Sequence, residues 1–545
     1  MNRCLGPWTY KPNTVQDVRI NIIALLTYKV IDMRKLTAAE GLQFPTSALS
    51  DKPSTTLSAK QIIQSALQAV QSPVASKITR EKNWRKNYPV YFKALVEAGI
   101  ASVDHPVQIA QQGLSTAQQL FVFNRGTQQL PLADAMNQFQ AQPFDTFTLK
   151  GNATAEIEPW FVPYHGQKLQ GQALLEQIDR WEQQHIIEPS HAKALRTVQA
   201  HPEWFDLSER TMVLFGAGSE AGPLTWLTKW RANIVAIDLP SPAIWDKITS
   251  IVAKGNATLI APQQASMEGK TQLGANLLTQ TPEIANWLAT LAQPLDLAGI
   301  AYLDGEKHVR VSMAMIAIMD KVSQLKPDSS IMFMLTPTDI YAVPKEVVQG
   351  SLMLRKQRNQ VEKLVAHAAR QLSLSHFFTP IDETLLLSDN GQQYGICDCM
   401  VIEQGPNYAL AKRLQQWYAL LARSRGQRVA INIAPSTTTL SVVKNPLLKA
   451  AFAGAGLFQV ETFNPETTNA IMAALWVHDL HNPDSVANPQ NKLEHPLKLI
   501  MEGANHGGLW RVAYLARTAL PFAAAYGWGK QKLAMLQKQR SRIMH

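Results

Sequence analysis

The stretch Thr211-Met-Val-Leu-Phe-Gly216-Ala-Gly218-Ser-Glu-Ala-Gly222-Pro-Leu224, followed by Asn233-Ile-Val-Ala-Ile-Asp238, decides the fold of this chain of 545 residues. An apolar strand runs into a glycine-punctuated turn, a helix is expected next, and a second apolar strand ends in a carboxylate. Glycines permit positive φ and bring bare backbone close to a pyrophosphate, while the N-terminus of a following helix offers unpaired N–H groups and partial positive charge. Asp238 stands about 20 residues beyond Gly218, where a dinucleotide-binding βαβ unit carries the carboxylate that accepts hydrogen bonds from the ribose hydroxyls. The competing reading is a tight strand-to-helix turn in an α/β protein that binds no nucleotide.

Outward from this unit, strand-like runs at 212–215, 234–237, 258–261, 297–303, 331–335 and 429–434 alternate with helical runs. That alternation predicts an α/β fold with a doubly wound parallel sheet, helices on both faces, and the ligand at the carboxyl ends of the strands. Upstream the pattern differs. Residues 45–56 are rich in Ser, Thr and Pro, 59–70 and 169–184 have helical apolar spacing, and 146–161 have some strand character. The chain therefore divides into a separate, mostly helical N-terminal region of unknown function (1–205), a Rossmann-like domain (206–515) and a basic C-terminal tail (516–545).

Composition narrows the class. With 46% hydrophobic and 17% charged residues, the chain reads as a soluble globular protein. The apolar stretches at 20–31 and 518–529 are too short or too interrupted to span a bilayer, and no cleavable signal peptide is expected. Three cysteines (Cys4, Cys397, Cys399) make no disulfide framework and no zinc spacing, which fits a reducing cytoplasm, with 397 and 399 read as small buried strand residues. The net charge of +10 is concentrated in part after residue 530, where Lys530, Lys532, Lys538, Arg540 and Arg542 alternate with apolar residues. Such a tail is either a solvated, frayed terminus or a peripheral membrane contact. No nucleic-acid-reading motif accompanies the charge. His506, before two glycines, reads as part of a turn, and His478 and His481 lack a third ligand, so no metal is assigned.

A second constellation is Asn407-Tyr408-Ala-Leu-Ala-Lys412, which opens an amphipathic run ahead of the strand ending in Asn432-Ile-Ala-Pro435. Tyrosine and lysine four apart share a helical face, so the ammonium can lower the phenol's pKa from about 10 and make it a usable general acid. Tyr341-Ala-Val-Pro-Lys345 has the same spacing, but its proline argues against a continuous helix.

Taken in order, these features resemble the short-chain dehydrogenase/reductase family over about residues 209–515. The glycine fingerprint is similar at Gly218 and Gly222, with Ala217 for the leading Thr and Leu224 for the last Gly; Asp238 falls where NAD-preferring members carry their acid. Leu303-Asp304-Gly305 sits where the family has Asn-Ala-Gly, Thr336 where it has its catalytic serine, with Thr338 as a neighbouring candidate, and Tyr408 and Lys412 match its catalytic pair. Asn432-Ile-Ala-Pro435-Ser436 resembles its Asn-x-x-Pro-Gly, and Asn464-Pro-Glu its late helix. About 70 residues separate Thr336 from Tyr408 where the family has roughly a dozen, which implies an insertion over about 340–400 that either caps the site or displaces Thr336. The family's relay asparagine has no counterpart; Ser312 stands near its position.

The resemblance implies an oxidoreductase that interconverts a carbonyl and an alcohol on a small molecule. Its cofactor is NAD rather than NADP, and the protein is expected to be a homo-oligomer. Tyr408, Lys412 and Thr336 would be catalytic; Gly216, Gly218, Gly222, Asp238, Gly305, Lys412 and Pro435 would hold the cofactor. Two alternatives stay open: a nucleotide-binding scaffold or sensor without catalysis, suggested by Leu224, Thr336 and the missing asparagine, and an S-adenosylmethionine-dependent methyltransferase, which residues 211–238 alone would also fit.

Overall fold

The computed structural model of the chain describes residues 39–46, 52–139, 144–265 and 269–543. Cys4, the apolar stretch at 20–31 and part of the segment 45–56 lie outside the described residues, as do the side chains of Lys538, Arg540 and Arg542.

Eight strands make the central sheet: β1 (Asp145–Lys150), β2 (Thr211–Phe215), β3 (Asn233–Ile237), β4 (Thr258–Ala265), β5 (Thr271–Leu273), β6 (Leu295–Gly299), β7 (Ser330–Leu335) and β8 (Val429–Ile433). Their order is β5-β4-β3-β2-β6-β7-β8, with β1 beside β4. β2, β3, β4, β6, β7 and β8 are parallel, with Val213 in register with Val235 and Leu297, whereas β1 and β5 run antiparallel to β4. Numbered among themselves, the parallel strands run 3-2-1-4-5-6, so the direction of progression reverses between β2 and β6.

Side chains alternate across the sheet, and each strand therefore feeds two cores. Val213, Phe215, Leu297 and Phe333 enter one; Met212, Leu214, Ala298 and Met332 enter the other. Burial on both faces is why these strands read as continuous apolar runs. Helices Thr55–Gln68, Trp84–Ile100 and His105–Leu120 share the first core with α2 (Glu306–Leu325) and α3 (Pro406–Ser424). Helices Gly171–Gln183 and Pro189–Ala200 share the second with α5 (Pro465–His481).

The N-terminal region is therefore helical as expected but not separate. Its apolar helix faces are filled by the sheet itself, and its strand β1 extends the sheet, pairing with β4 from Asp145 opposite Gln263 to Lys150 opposite Thr258. The helix after the glycine turn also departs from expectation: α1 (Leu224–Leu227) is a single turn. Leu224, Trp226, Leu227 and Trp230 are drawn into the second core, and the Thr228 carbonyl accepts the Asn256 N–H at 2.7 Å, which ends the helix. The strand expected at 297–303 is instead β6, ending at Gly299, because its ladder with β2 closes at Phe215. Beyond it the apolar residues Ile300, Ala301 and Leu303 face a cavity described below.

Between β7 and α3 the chain leaves the sheet and builds a small antiparallel sheet from Ile340–Pro344, Leu386–Leu387 and Gln393–Asp398, with helices Lys345–Gln357 and Gln360–Leu372. Tyr341 thus sits on a strand and Lys345 opens a helix, so the pair shares no helical face. This segment is pinned by Arg511. The guanidinium donates to the Glu346 carbonyl at 2.9 Å and to both Glu188 oxygens at 2.6 and 2.8 Å. Gly350 makes room for it, since a Cβ there would lie 2.5 Å from Arg511 Nη1. Cys397 and Cys399 are buried with their sulfurs 3.0 Å apart.

Residues 516–543 form a helix, α6 (Ala516–Ile543), whose first half is embedded. It crosses α4 (Pro446–Gly454) where a Cβ on Gly454 would lie 1.9 Å from the Ala523 carbonyl and one on Gly527 2.0 Å from that of Ala450. Trp528, Leu533 and Leu536 beyond the crossing are exposed. Among the described residues, no helix is long and apolar enough to cross a membrane.

Candidate active site

The carboxyl ends of the parallel strands open on a cavity of about 1170 Å³. It runs from Asp238 after β3, past Gly216, Gly218, Ala301 and Gly305, to Thr336 after β7, then to Tyr408 and Lys412 on α3 and Pro435 after β8. The reversal of strand order between β2 and β6 creates the crevice, because the loops after these strands turn to opposite sides.

At the Asp238 end, Gly216 takes φ +87°, and a Cβ there would lie 2.7 Å from Ala301 Cα. Only glycine lets the exit from β2 pass so close to the residues after β6. The Gly218 N–H donates to Asp238 Oδ2 and the Leu239 N–H to Oδ1, both at 2.8 Å. Burial raises the carboxyl above its ordinary pKa, with these two N–H bonds and Lys247 opposing the rise. A carboxylate has about four acceptor positions, so Asp238 keeps capacity for a ligand. Trp245 Nε1 donates to the Leu239 carbonyl at 3.1 Å and holds the loop after β3.

Two expected elements of this end are absent. Gly222 does not line the cavity; a Cβ there would lie 2.9 Å from Ile300 Cδ1, so its glycine serves packing. The single turn α1 supplies no helix-dipole charge, since a macrodipole needs aligned peptides over several turns. The turn also carries Glu220, whose Oε2 accepts the Leu440 N–H at 2.9 Å and whose carbonyl accepts Asn469 Nδ2 at 3.0 Å.

At the other end, Thr336 follows β7 directly. Its hydroxyl lies 2.8 Å from that of Thr338, which donates to Gln404 at 2.7 Å, and its carbonyl accepts the Tyr341 hydroxyl at 2.5 Å. The inserted segment thus anchors Thr336 instead of displacing it. Thr336 and Tyr408 come together: burial drives the Tyr408 phenol up to about 12, and a hydrogen bond with Thr336 acts against that rise.

The activation expected from Lys412 is not seen, for the phenol's pKa goes up. The ammonium instead donates to the Met334 carbonyl at 2.9 Å and to Gln415 Oε1 at 3.2 Å. Burial lowers its own pKa to about 8, against the field of Asp339. Gln415 in turn donates to Ser312 at 3.0 Å. Ser312, noted near the position of the missing asparagine, thereby reaches Lys412 through a glutamine that no motif marked.

His308 and Tyr302 were also missed. The His308 ring stacks on Tyr408 with centroids 5.4 Å apart and meets the Tyr302 ring at a tilt of 55° with centroids 4.7 Å apart. It is buried, neither ring nitrogen finds a hydrogen-bond partner among the described residues, and burial together with Lys412 holds its pKa well below the ordinary value. A neutral imidazole therefore backs the phenol. No spacing rule points to it, because the contact is made by a helix start after β6 and a helix start after the insertion.

His506, expected in a turn, is fully buried and lies 2.9 Å from Glu188 Oε1 through Nε2. The Gly508 N–H donates to its Nδ1 at 3.0 Å, which fixes the proton on Nε2. His478 lies between Asp479 and Asn482 at 2.9 and 2.8 Å. No protein-family model matches the chain, and comparison with the curated proteins finds no match.

Proposed function

We propose that the chain is an NAD-dependent oxidoreductase with a Rossmann-like domain, interconverting a carbonyl and an alcohol. The observation that carries this reading is the convergence of Thr336, Tyr408 and Lys412 on the cavity that also holds Asp238, at the carboxyl ends of strands ordered 3-2-1-4-5-6. The residues fit the cofactor at both ends. Asp238 has acceptor positions left for ribose hydroxyls, and the Lys412 ammonium, with three donors and two of them used, keeps one for the nicotinamide ribose. When bound, the nicotinamide gives or takes a hydride.

The chain's own residues handle the proton. Tyr408, with its pKa near 12, stays protonated through the neutral range and donates to the carbonyl oxygen; Thr338 gives its own proton to Gln404, so the Thr336 hydroxyl donates to Thr338 and reaches that oxygen by turning from Thr338 to the substrate. Lys412 would hold the cofactor ribose through its remaining N–H. Methyl transfer needs none of these three groups. A scaffold without catalysis is the second reading, favoured by the elevated phenol and by Glu220 in the turn.

NADH consumption with a panel of aldehydes and ketones tests the activity; no turnover with any of them, in a protein that binds NADH, would favour the scaffold. For an active carbonyl, kcat/KM is expected to fall as pH rises through about 8, where Lys412 loses its proton. Lys412→Arg should remove that limb. NADPH is expected to bind at least about tenfold more weakly than NADH, about 1.4 kcal/mol, since its 2′-phosphate meets Asp238. Equal affinities by calorimetry would refute this role for Asp238.

A further inference from the structure

The cavity does not end at Tyr408 and Pro435. It continues as an arm between α4 and α6, walled by Leu448, Ala451, Phe452, Phe458, Ala519 and Ala523. Of the described cavity-lining residues from 448 onward, only Thr462 carries a polar side chain. A phosphate or a sugar would find only the Thr462 hydroxyl there as a side-chain partner. The whole cavity, at about 1170 Å³, exceeds the upper end of ordinary ligand sites, about 1000 Å³.

Gly454 and Gly527 bring α4 and α6 into backbone contact at one crossing, and the cavity wall beside it carries Ala451, Ala519 and Ala523. The walls themselves are held by a third core, in which Ala450, Phe458, Val512 and Tyr514 pack with the insertion residues Ala366 and Phe378. The inserted segment thus supports the arm as well as Thr336.

From these observations we propose that the substrate is a long hydrocarbon chain carrying one oxygen function at its end, a fatty alcohol or aldehyde. The oxygen-bearing carbon sits at Thr336 and Tyr408 and the chain lies in the arm. An apolar lining continuous with a polar reaction end selects this class because each methylene is desolvated while the single oxygen keeps its hydrogen bonds. The inference names the substrate for the proposed oxidoreductase site and rests on that reading.

Unbranched primary alcohols from butanol to dodecanol are titrated into the full chain by calorimetry, with NADH titrated separately. Affinity is expected to rise about fourfold per added methylene, from ~0.8 kcal/mol each, until the arm is filled. Ala519→Trp should abolish the dependence on chain length. Ala455→Phe, on the opposite wall and only partly buried, should blunt it even if the tryptophan variant does not fold. Equal affinity for butanol and dodecanol, or a chain-length dependence untouched by Ala455→Phe, would overturn the proposal. A protein that shows the dependence yet binds no NADH would keep the hydrocarbon site and refute the oxidoreductase reading.

Discussion

Tyr408→Phe is expected to lower turnover by about 10²–10⁴-fold while leaving NADH affinity nearly unchanged. The substitution removes one hydroxyl from a ring already stacked on His308 and edge-on to Tyr302, so packing survives and only the proton donor is lost. Thr336→Ser should retain most activity, because serine supplies the same hydroxyl after β7, whereas Thr336→Val keeps the shape and loses the donor. At neutral pH the phenol, pushed up to about 12 by burial, stays protonated and can donate to a carbonyl oxygen, beside a His308 ring that burial and Lys412 hold neutral. Steady-state kinetics with the best carbonyl found checks it. Full activity in Tyr408→Phe would assign the acid elsewhere.

The largest stability effect is expected at Glu188. Its carboxylate is buried, accepts two bonds from Arg511 and faces His506, and these partners outweigh burial to bring its pKa down to about 2. Glu188→Ala leaves the Arg511 guanidinium buried and unpaired, which costs about 3–5 kcal/mol out of a typical total of roughly 5–15 kcal/mol. Because Arg511 also holds the helix Lys345–Gln357, the loss extends to the inserted segment beside Thr336. The pH dependence has a definite sign. The folded pKa lies below the ordinary 4.5, so the contribution is complete above that value and is lost as pH falls toward about 2, roughly 3 kcal/mol in all. Urea unfolding at neutral pH and at about pH 3 measures both effects, and Glu188→Gln should show little of the acid loss.

The sheet was legible because its strands are buried on two faces and punctuated by turns: the parallel strands lie within a few residues of the runs expected at 212–215, 234–237 and 331–335. Thr336, Tyr408 and Lys412 were legible by order along the chain, and they share one cavity. What the spacing did not carry is whatever depends on partners distant in sequence. The apolar helices before residue 205 look self-sufficient in isolation, since a helical stripe does not reveal whether it faces another helix or a sheet. Helix α1 stopped after one turn because tryptophans and leucines were taken by the second core, although local propensity would continue it. The pairing of Lys412 with Gln415 and Ser312 rather than with the phenol follows from burial that no four-residue spacing encodes.

Calorimetric titration of the purified chain with NADH and with S-adenosylmethionine, alongside Asp238→Ala, tests the central claim most directly. NADH should bind saturably at one site per chain, weaken by about tenfold or more in Asp238→Ala, and S-adenosylmethionine should not bind. Binding of S-adenosylmethionine in place of NADH, or NADH affinity indifferent to Asp238, would contradict the account.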